Sequence, residues 1–300
     1  MDCKDRVKID LHIHTNASDG TFSPADVIST ARKLKLGAIA ITDHDTLEGS
    51  KEAQQLGIPP SMGFLTGVEI SASPPPSATS FTSSLHILGY GLDLDNVELN
   101  QTLAILQQAR KNRNPGILAR LRQLGLPVAL EEVQQVVGDG QIGRPHIARV
   151  MVNKGYVRNI NDAFDHYLSH GKPAYVEKYR ISCRKAIEMI LGAGGVPVLA
   201  HPYLLDLPDH DRLEGLVREL GEMGMQGIEV YYPEHPVEFI AQYERLAHKH
   251  HLLMTGGTDF HGGLIPQVQM GIGTGNFHVP YRLYEKLLER LNVRTTATPV

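Results

Sequence analysis

The chain has 300 residues, of which 42% are hydrophobic and 21% charged, with a formal net charge of −4 and two cysteines. That length suits an α/β barrel with an insertion. The slightly acidic balance speaks against a protein that grips a long duplex, since such binding rests on many Lys and Arg at phosphates. No eighteen-residue apolar run is present, so no membrane span is expected.

Taken in order, VKIDLH predicts a short buried strand. SPADVISTARKLKLG predicts a helix with Ser23 as N-cap, Pro24 in the first turn and Asp26 at its positive end. Val27, Ile28, Ala31 and Leu34 make its apolar face, and Gly37 closes it. AIAITDH, EGSKEAQQLG and FLTGVEIS continue as strand, helix and strand, an alternation that implies a parallel sheet. Residues 73–84, SPPPSATSFTSS, read as an exposed loop. After LHILGYGLD comes a long helix from about Asn96 to Gln123, then further helix signals and no clear strand. The expected division is a barrel from residues 1–96 and 176–300, with 97–175 as a helical insertion. Alternation resumes with RKAIEMILGAGG, VPVLAHP, LEGLVRELGEMG, GIEVYY, EFIAQYERLAHKHH and LLMTGGTDFH. NVRTTATPV reads as a loose tail. The charged start MDCKDRVKID lacks an apolar leader, and Cys3 and Cys183 form no disulfide framework, so a cytoplasmic protein is expected.

Donor residues crowd the strand ends. His12 and His14 flank one isoleucine in DLHIHTNASDG, and Asp19 follows in the turn. His44 closes the second strand, Glu69 the third, His201 the strand VPVLAHP, and Asp259 and His261 the strand LLMTGGTDFH. Parallel barrel strands deliver their C-terminal ends to one face, so these residues are expected to converge. Residues i and i+2 of a strand share a side, which lets paired imidazoles address one ion. Nitrogen and oxygen donors of this kind suit Zn²⁺, Mn²⁺ or Fe²⁺. A lone histidine is more often a surface or satisfied core residue, but donors at every strand tip have no packing rationale. His248, His250 and His251 sit at a helix C-terminus, where imidazole suits the dipole. His166, His170, His210 and His278 have no strand-tip placement, and His235, after GIEVYY, is left unassigned. GAGG, residues 192–195, reads as a helix-ending turn and not a nucleotide loop.

DLHIHTNASDG, AITDHDT, GVEIS, LHILGYGLD, LAHP and GTDFHG together resemble the motif series of the PHP (polymerase and histidinol phosphatase) family of metallophosphoesterases. GRPHIARVMVNKGYV and YLSHGKPAYV resemble its TrpH-like branch, which removes the 3′-phosphate of nucleoside 3′,5′-bisphosphates and trims short 5′-phosphorylated RNA. The resemblance implies a distorted seven-stranded (β/α) barrel with two to three divalent ions, Mn, Zn or Fe. It assigns one ion to His12, His14, Glu69 and Asp259, a second to Glu69, His86 and His201, and a third to Asp19, His44 and His261. His86 rests on the resemblance alone, because it opens its apolar run and the strand-tip argument does not place it.

Glu69 and Asp259 would stand at the catalytic centre, with Arg144 beside them. A phosphate also needs fixed cations, and Arg144, His146 and Lys172 of the insertion are the candidates if it caps the barrel mouth. The expected partner is a small phosphorylated substrate, a nucleotide or a short RNA end, with neither long duplex nor membrane. A histidinol phosphate phosphatase is the rival enzyme, and a metal-holding regulatory module the rival of another class. The module would tolerate missing ligands, whereas all nine motif positions are filled here.

Overall fold

The computed structural model describes residues 7–78, 85–138, 140–275 and 277–296, with the side chains of 293–296 excepted. Seven strands follow one another across a single sheet in chain order. They are β1 (Ile9–Ile13), β2 (Ala38–Ile41), β3 (Gly63–Ala72), β4 (Leu85–Tyr90), β5 (Val196–Leu199), β6 (Gly227–Tyr231) and β7 (Leu253–Gly256). The sheet curls until its ends meet. The His14 N–H donates to the Phe260 carbonyl at 2.9 Å, and the Phe260 N–H to the His12 carbonyl at 3.2 Å. This is the distorted seven-stranded barrel that the family resemblance implies, with one correction to the parallel sheet read from the sequence. Strands β1 to β3 and β5 to β7 run parallel, but β4 is antiparallel to both neighbours.

The helices are α1 (Pro24–Lys33), α2 (Glu48–Leu56), α3 (Val97–Gln123), α4 (Leu130–Val137), α5 (Arg144–Asn153), α6 (Ile160–Ala163), α7 (Cys183–Gly192), α8 (His210–Glu222), α9 (Val237–Lys249) and α10 (Arg282–Thr296). Helix α1 starts as expected. The Ser23 hydroxyl accepts from the Asp26 N–H, and the Asp26 carboxylate accepts from the Ser23 N–H, each at 3.1 Å. It ends differently. The chain reverses at Lys35, whose φ of 56° is left-handed, and Leu34 is 42% exposed, off the buried face. Gly37 serves close packing instead, since a Cβ there would sit 2.3 Å from Val7 Cγ1. At the other end of the chain, α10 continues through Thr296, so 292–296 are helix and not a loose tail. Of the expected loop over 73–84, Pro76–Ala78 form a 3₁₀ turn with Ala78 buried, and 79–84 lie outside the described residues.

Side chains alternate along each strand, so neighbours enter different clusters. Leu88 and Tyr90 of β4 join Leu11, Ala40 and Val198 on α10 residues Leu283 and Leu287. Ile87 joins Val68, Ile70 and Leu199 against Ile187 and Ile190 of α7 and Leu216 and Leu220 of α8. The first half of α3 packs on that second cluster through Leu99, Leu103 and Leu106. Its second half does not touch the sheet's clusters. Ile117 and Leu121 pack with Val133, Ile147, Met151 and Leu168 in a core of their own. Among the described residues no helix is long and apolar enough to cross a membrane.

Candidate metal centre

The donors converge on Glu69. It lies inside β3 and not at its end, three residues before Ala72. Its Oε1 is 2.8 Å from His86 Nδ1 and 2.9 Å from His201 Nε2. Its Oε2 is 2.9 Å from His44 Nδ1, 3.3 Å from His14 Nε2 and 3.5 Å from His12 Nε2. Asp259 Oδ1 faces His14 Nε2 at 3.0 Å, while Asp19 Oδ1 faces His261 Nε2 at 3.4 Å. Three overlapping groups result: His12, His14, Glu69 and Asp259; His14, Asp19, His44 and His261; and His44, Glu69 and His86. Within each, one ligand atom per residue lies within 4.8 Å of the others.

The reversal of β4 accounts for His86. An antiparallel strand begins where its parallel neighbours end, so the second residue of β4 reaches the same face as the other strand tips. The remaining donors are placed by the local backbone. His12 points inward from β1, and His14 follows the register break between Asp10 and Ile13. The turn that carries Asp19 is tied down by Asp43, which accepts from the Thr15 N–H at 2.7 Å and from the Ser18 hydroxyl at 2.6 Å. Gly20 permits that turn, because a Cβ would lie 2.3 Å from the His14 carbonyl oxygen. Asp45, His201 and Asp259 hold φ values of 56°, 24° and 54°. Such left-handed non-glycine residues are costly and persist where surroundings fix them, often at functional sites.

Several buried polar atoms here have no hydrogen-bond partner: Nε2 of His12 and His14, Nδ1 of His44 and His201, and Oδ1 of Asp19 and Asp259. Orphaned buried donors of this sort are rare in folded proteins and call for an explanation. Apart from His201 Nδ1, each of these imidazole nitrogens and carboxylate oxygens faces another donor, which fits a group that takes lone pairs from several sides, namely divalent cations. Electrostatics agree. Burial alone would raise the Glu69 carboxyl, but His44, His86 and His12 outweigh it and hold the group well below the usual range. Burial pushes the His86 imidazole down to about 4, despite Glu69 beside it, so it stands neutral with a lone pair to offer.

Sequence reasoning missed the residues behind these donors. Glu229 of β6 is fully buried, lies 3.0 Å from His12 Nδ1, and accepts from the His201 N–H at 2.7 Å. A carboxylate so placed fixes the tautomer and orientation of a ligating imidazole. Its only sequence signal is one acid within the apolar strand GIEVY. The Tyr232 hydroxyl donates to Asp259 Oδ2 at 3.2 Å. Asp45 accepts from Arg110 at 2.7 Å and from Lys178 at 3.0 Å, joining the metal-side loop to the helical segment.

The three expected phosphate contacts fare differently. His146 is buried in the first turn of α5, where its Nδ1 accepts from the Gly143 N–H at 3.0 Å. Gly143 packs against Asp19, so this turn borders the centre. Arg144 donates to the Leu168 carbonyl at 3.0 Å and lies 5.5 Å and 5.8 Å from the rings of Phe164 and Tyr175. Lys172 is exposed and is not gathered with them. His235 is buried against the Tyr232 ring but belongs to none of the donor groups. His166 meets Asp162 and His250 meets Glu214, both away from the donor groups.

A curled seven-stranded sheet with nine nitrogen and oxygen donors at its rim defines a metal-dependent phosphoesterase of the PHP class. The chain belongs to the PHP family: residues 10–114 match the PHP domain, and relatives align over most of its length. It is 33% identical to a 3′,5′-nucleoside bisphosphate phosphatase from Chromobacterium violaceum over 84% of this chain and 87% of that one. It is 32% identical to the 5′-3′ exoribonuclease Rnm of Escherichia coli over 87% of each chain. A solved amidohydrolase from Chromobacterium violaceum, with bound SO4 and no metal, superposes with a TM-score of 0.81 at 32% identity, covering 95% of this chain and 97% of that one.

Proposed function

We propose that the protein hydrolyses nucleotide phosphomonoesters, removing the 3′-phosphate of a nucleoside 3′,5′-bisphosphate. The observation that carries this reading is the set of orphaned donors around Glu69, taken with the relative named for that activity. A second reading, 5′→3′ trimming of short 5′-phosphorylated RNA, is favoured by the exoribonuclease relatives of similar identity.

Two to three divalent ions, Mn, Zn or Fe, would be held by His12, His14, Glu69 and Asp259, by Glu69, His86 and His201, and by Asp19, His44 and His261. Such ions supply Lewis acidity toward phosphate oxygens. Phosphoryl transfer needs mainly positioning and charge, and the chain's own residues supply the positioning. Glu69 sits between neighbouring donor groups and keeps them in register. Glu229 orients His12, and the Tyr232 hydroxyl holds Asp259. The segment 97–175 would cap the mouth as an insertion, with His146 and Arg144 as its candidate substrate contacts, whereas the exposed Lys172 is not gathered with them.

Measurement of kcat/KM for a nucleoside 3′,5′-bisphosphate and for histidinol phosphate, with the same metal, tests this reading. The bisphosphate is expected to be turned over faster. If histidinol phosphate wins, the substrate assignment is wrong while the family stands.

A further inference from the structure

A cavity of about 550 Å³ begins at Pro202, the residue after the donor His201. Its walls come from the 3₁₀ turn Pro202–Leu205 and from residues of α8 and α9. A run of rings joins it to the metal centre. The His201 and Tyr232 rings lie 5.5 Å apart, Tyr232 and His235 5.1 Å, His235 and Tyr203 6.3 Å, and Tyr203 and Phe239 5.3 Å. Tyr203 and Phe239 line the cavity together with Tyr243. Tyr203 and its neighbour Leu204 are 41% and 45% exposed. Large apolar side chains left in water around a cavity beside a reaction centre mark a place for a ligand.

His235 gives an independent sign. It is 6% exposed, and its Nδ1 donates to the Val230 carbonyl at 2.8 Å, so Nε2 carries the lone pair. That Nε2 is buried with no hydrogen-bond partner. The ring packs against Tyr203 and Tyr243, both of the cavity wall. A buried acceptor left open beside a cavity calls for a donor on whatever fills it. The wall chemistry narrows the occupant. Among the described residues that line it, none is Lys or Arg, whereas Asp206 is a carboxylate and Gln242 an amide. Such a wall repels phosphate. It suits a flat neutral ring with N–H groups at its edge, which stacks on aromatic side chains and donates to acceptors, as a nucleobase does.

We infer that this groove holds the base of the nucleotide on the 3′ side of the scissile phosphate of an RNA end, stacked on Tyr203 and Phe239. This rests on the exoribonuclease reading proposed above. In the reaction, water adds to phosphorus and the bond to the 3′-oxygen of the first nucleotide breaks. That oxygen takes a proton, and the phosphate stays on the 5′-oxygen of the second nucleotide. A nucleoside 3′,5′-bisphosphate undergoes the same cleavage with the groove empty. One centre therefore serves both substrates, and the groove adds affinity only for the longer one.

The test uses the metal-loaded full chain with Tyr203→Ala and Tyr203→Phe. The readout is kcat/KM for a 5′-phosphorylated dinucleotide divided by that for the bisphosphate of its first nucleoside. This ratio should fall about tenfold in Tyr203→Ala, the loss expected for one stacked base, and stay within about twofold in Tyr203→Phe, which keeps the ring. A dinucleotide whose second position is abasic should be a poorer substrate for the wild type by the same factor, and indifferent to Tyr203→Ala. An unchanged ratio, or an abasic dinucleotide cleaved as well as its parent, would overturn the proposal. Equal loss on both substrates with a lowered Tm would overturn it too, and make Tyr203 a support of the His201 turn. If the wild type cleaves the bisphosphate but not the dinucleotide, the exoribonuclease reading fails. Inhibition of bisphosphate turnover by the dinucleotide then decides on the groove: a Ki about tenfold higher in Tyr203→Ala supports base binding there, and an equal Ki refutes it.

Discussion

Glu69 is addressed by five imidazoles, which makes it the residue whose charge the centre can least spare. Glu69→Gln keeps the shape and removes the charge. It should abolish turnover and lower metal content, read by phosphate release and metal analysis. Near-normal activity with full metal content would take Glu69 out of the centre. Asp45 is the comparable residue on the other side. Burial would raise its carboxyl, but Lys178 and Arg110 hold it well below the usual range. A depressed carboxyl adds stability above its unfolded pKa and loses it as pH falls through acid values. Asp45→Asn tolerates the left-handed φ but strands two buried cations, at a cost of about 3–5 kcal/mol. Urea unfolding at pH 7 should show that loss, and the variant's stability should depend less on acid pH than the wild type's. Equal stability at pH 7 would refute it. Most donors were legible in the sequence because they stand in polar motifs at or just beyond strand ends, whereas His86, near the start of an apolar strand, was legible only through the family resemblance. Glu229 was not, since a single acid in an apolar strand carries no periodicity, and Lys178 was passed over because nothing local marks a lysine as buried.

Among the elements, β4 shows where a local pattern stops being informative. LHILGY reads as a strand in either direction, and direction is set only by its neighbours. Alternation of strand and helix implied parallel pairing throughout, and failed at β3 and β4, which pair antiparallel and between which the described residues hold only the 3₁₀ turn Pro76–Ala78. The helix ends were partly legible. Ser23 declared itself as a cap, whereas the reversal at Lys35 did not, because lysine is not a residue that favours positive φ. The closure between β7 and β1 depends on close approach at Gly257, where a Cβ would lie 2.3 Å from both the His12 nitrogen and its Cβ. Gly257→Ala should force the strands apart and displace His12. An overpacking cost of about 1–3 kcal/mol is expected in denaturant unfolding, with weaker metal binding by titration. Wild-type stability and affinity together would show that the closure yields freely.

On the scale of the whole molecule, the donors span residues 12 to 261, so metal binding joins the first strand to the last. A ligand bound only by the folded chain stabilises it by about 2.7 kcal/mol at a free concentration one hundred times its Kd. Thermal unfolding with a chelator should therefore give a lower Tm than with Mn²⁺ or Zn²⁺ present. An identical Tm would mean that the barrel holds its donors in place unaided. Length and composition were enough to suggest a barrel with an insertion. They were silent on how α3 divides its packing, with Leu99, Leu103 and Leu106 in one hydrophobic cluster and Ile117 and Leu121 in another. A helical pattern identifies an apolar face but not which partner each half of it meets.

The reversal of β4 bears on how such a chain can change over generations. Tyr90 and Val196 are register partners at the end of the sheet away from the metal centre, so the polypeptide leaves and re-enters the barrel at adjacent points. To the sheet, everything between them is one very large hairpin turn. The entropy of closing a turn grows only with the logarithm of its length, about 0.6 kcal/mol per doubling. Segments can therefore be added there or exchanged at little thermodynamic cost to the strands. At 27 residues α3 is about 40 Å long, enough to carry such a segment from that far end to the rim. Gain or loss of a recognition surface over the same hydrolytic chemistry becomes an event confined to one connection, leaving the pairing of all seven strands untouched.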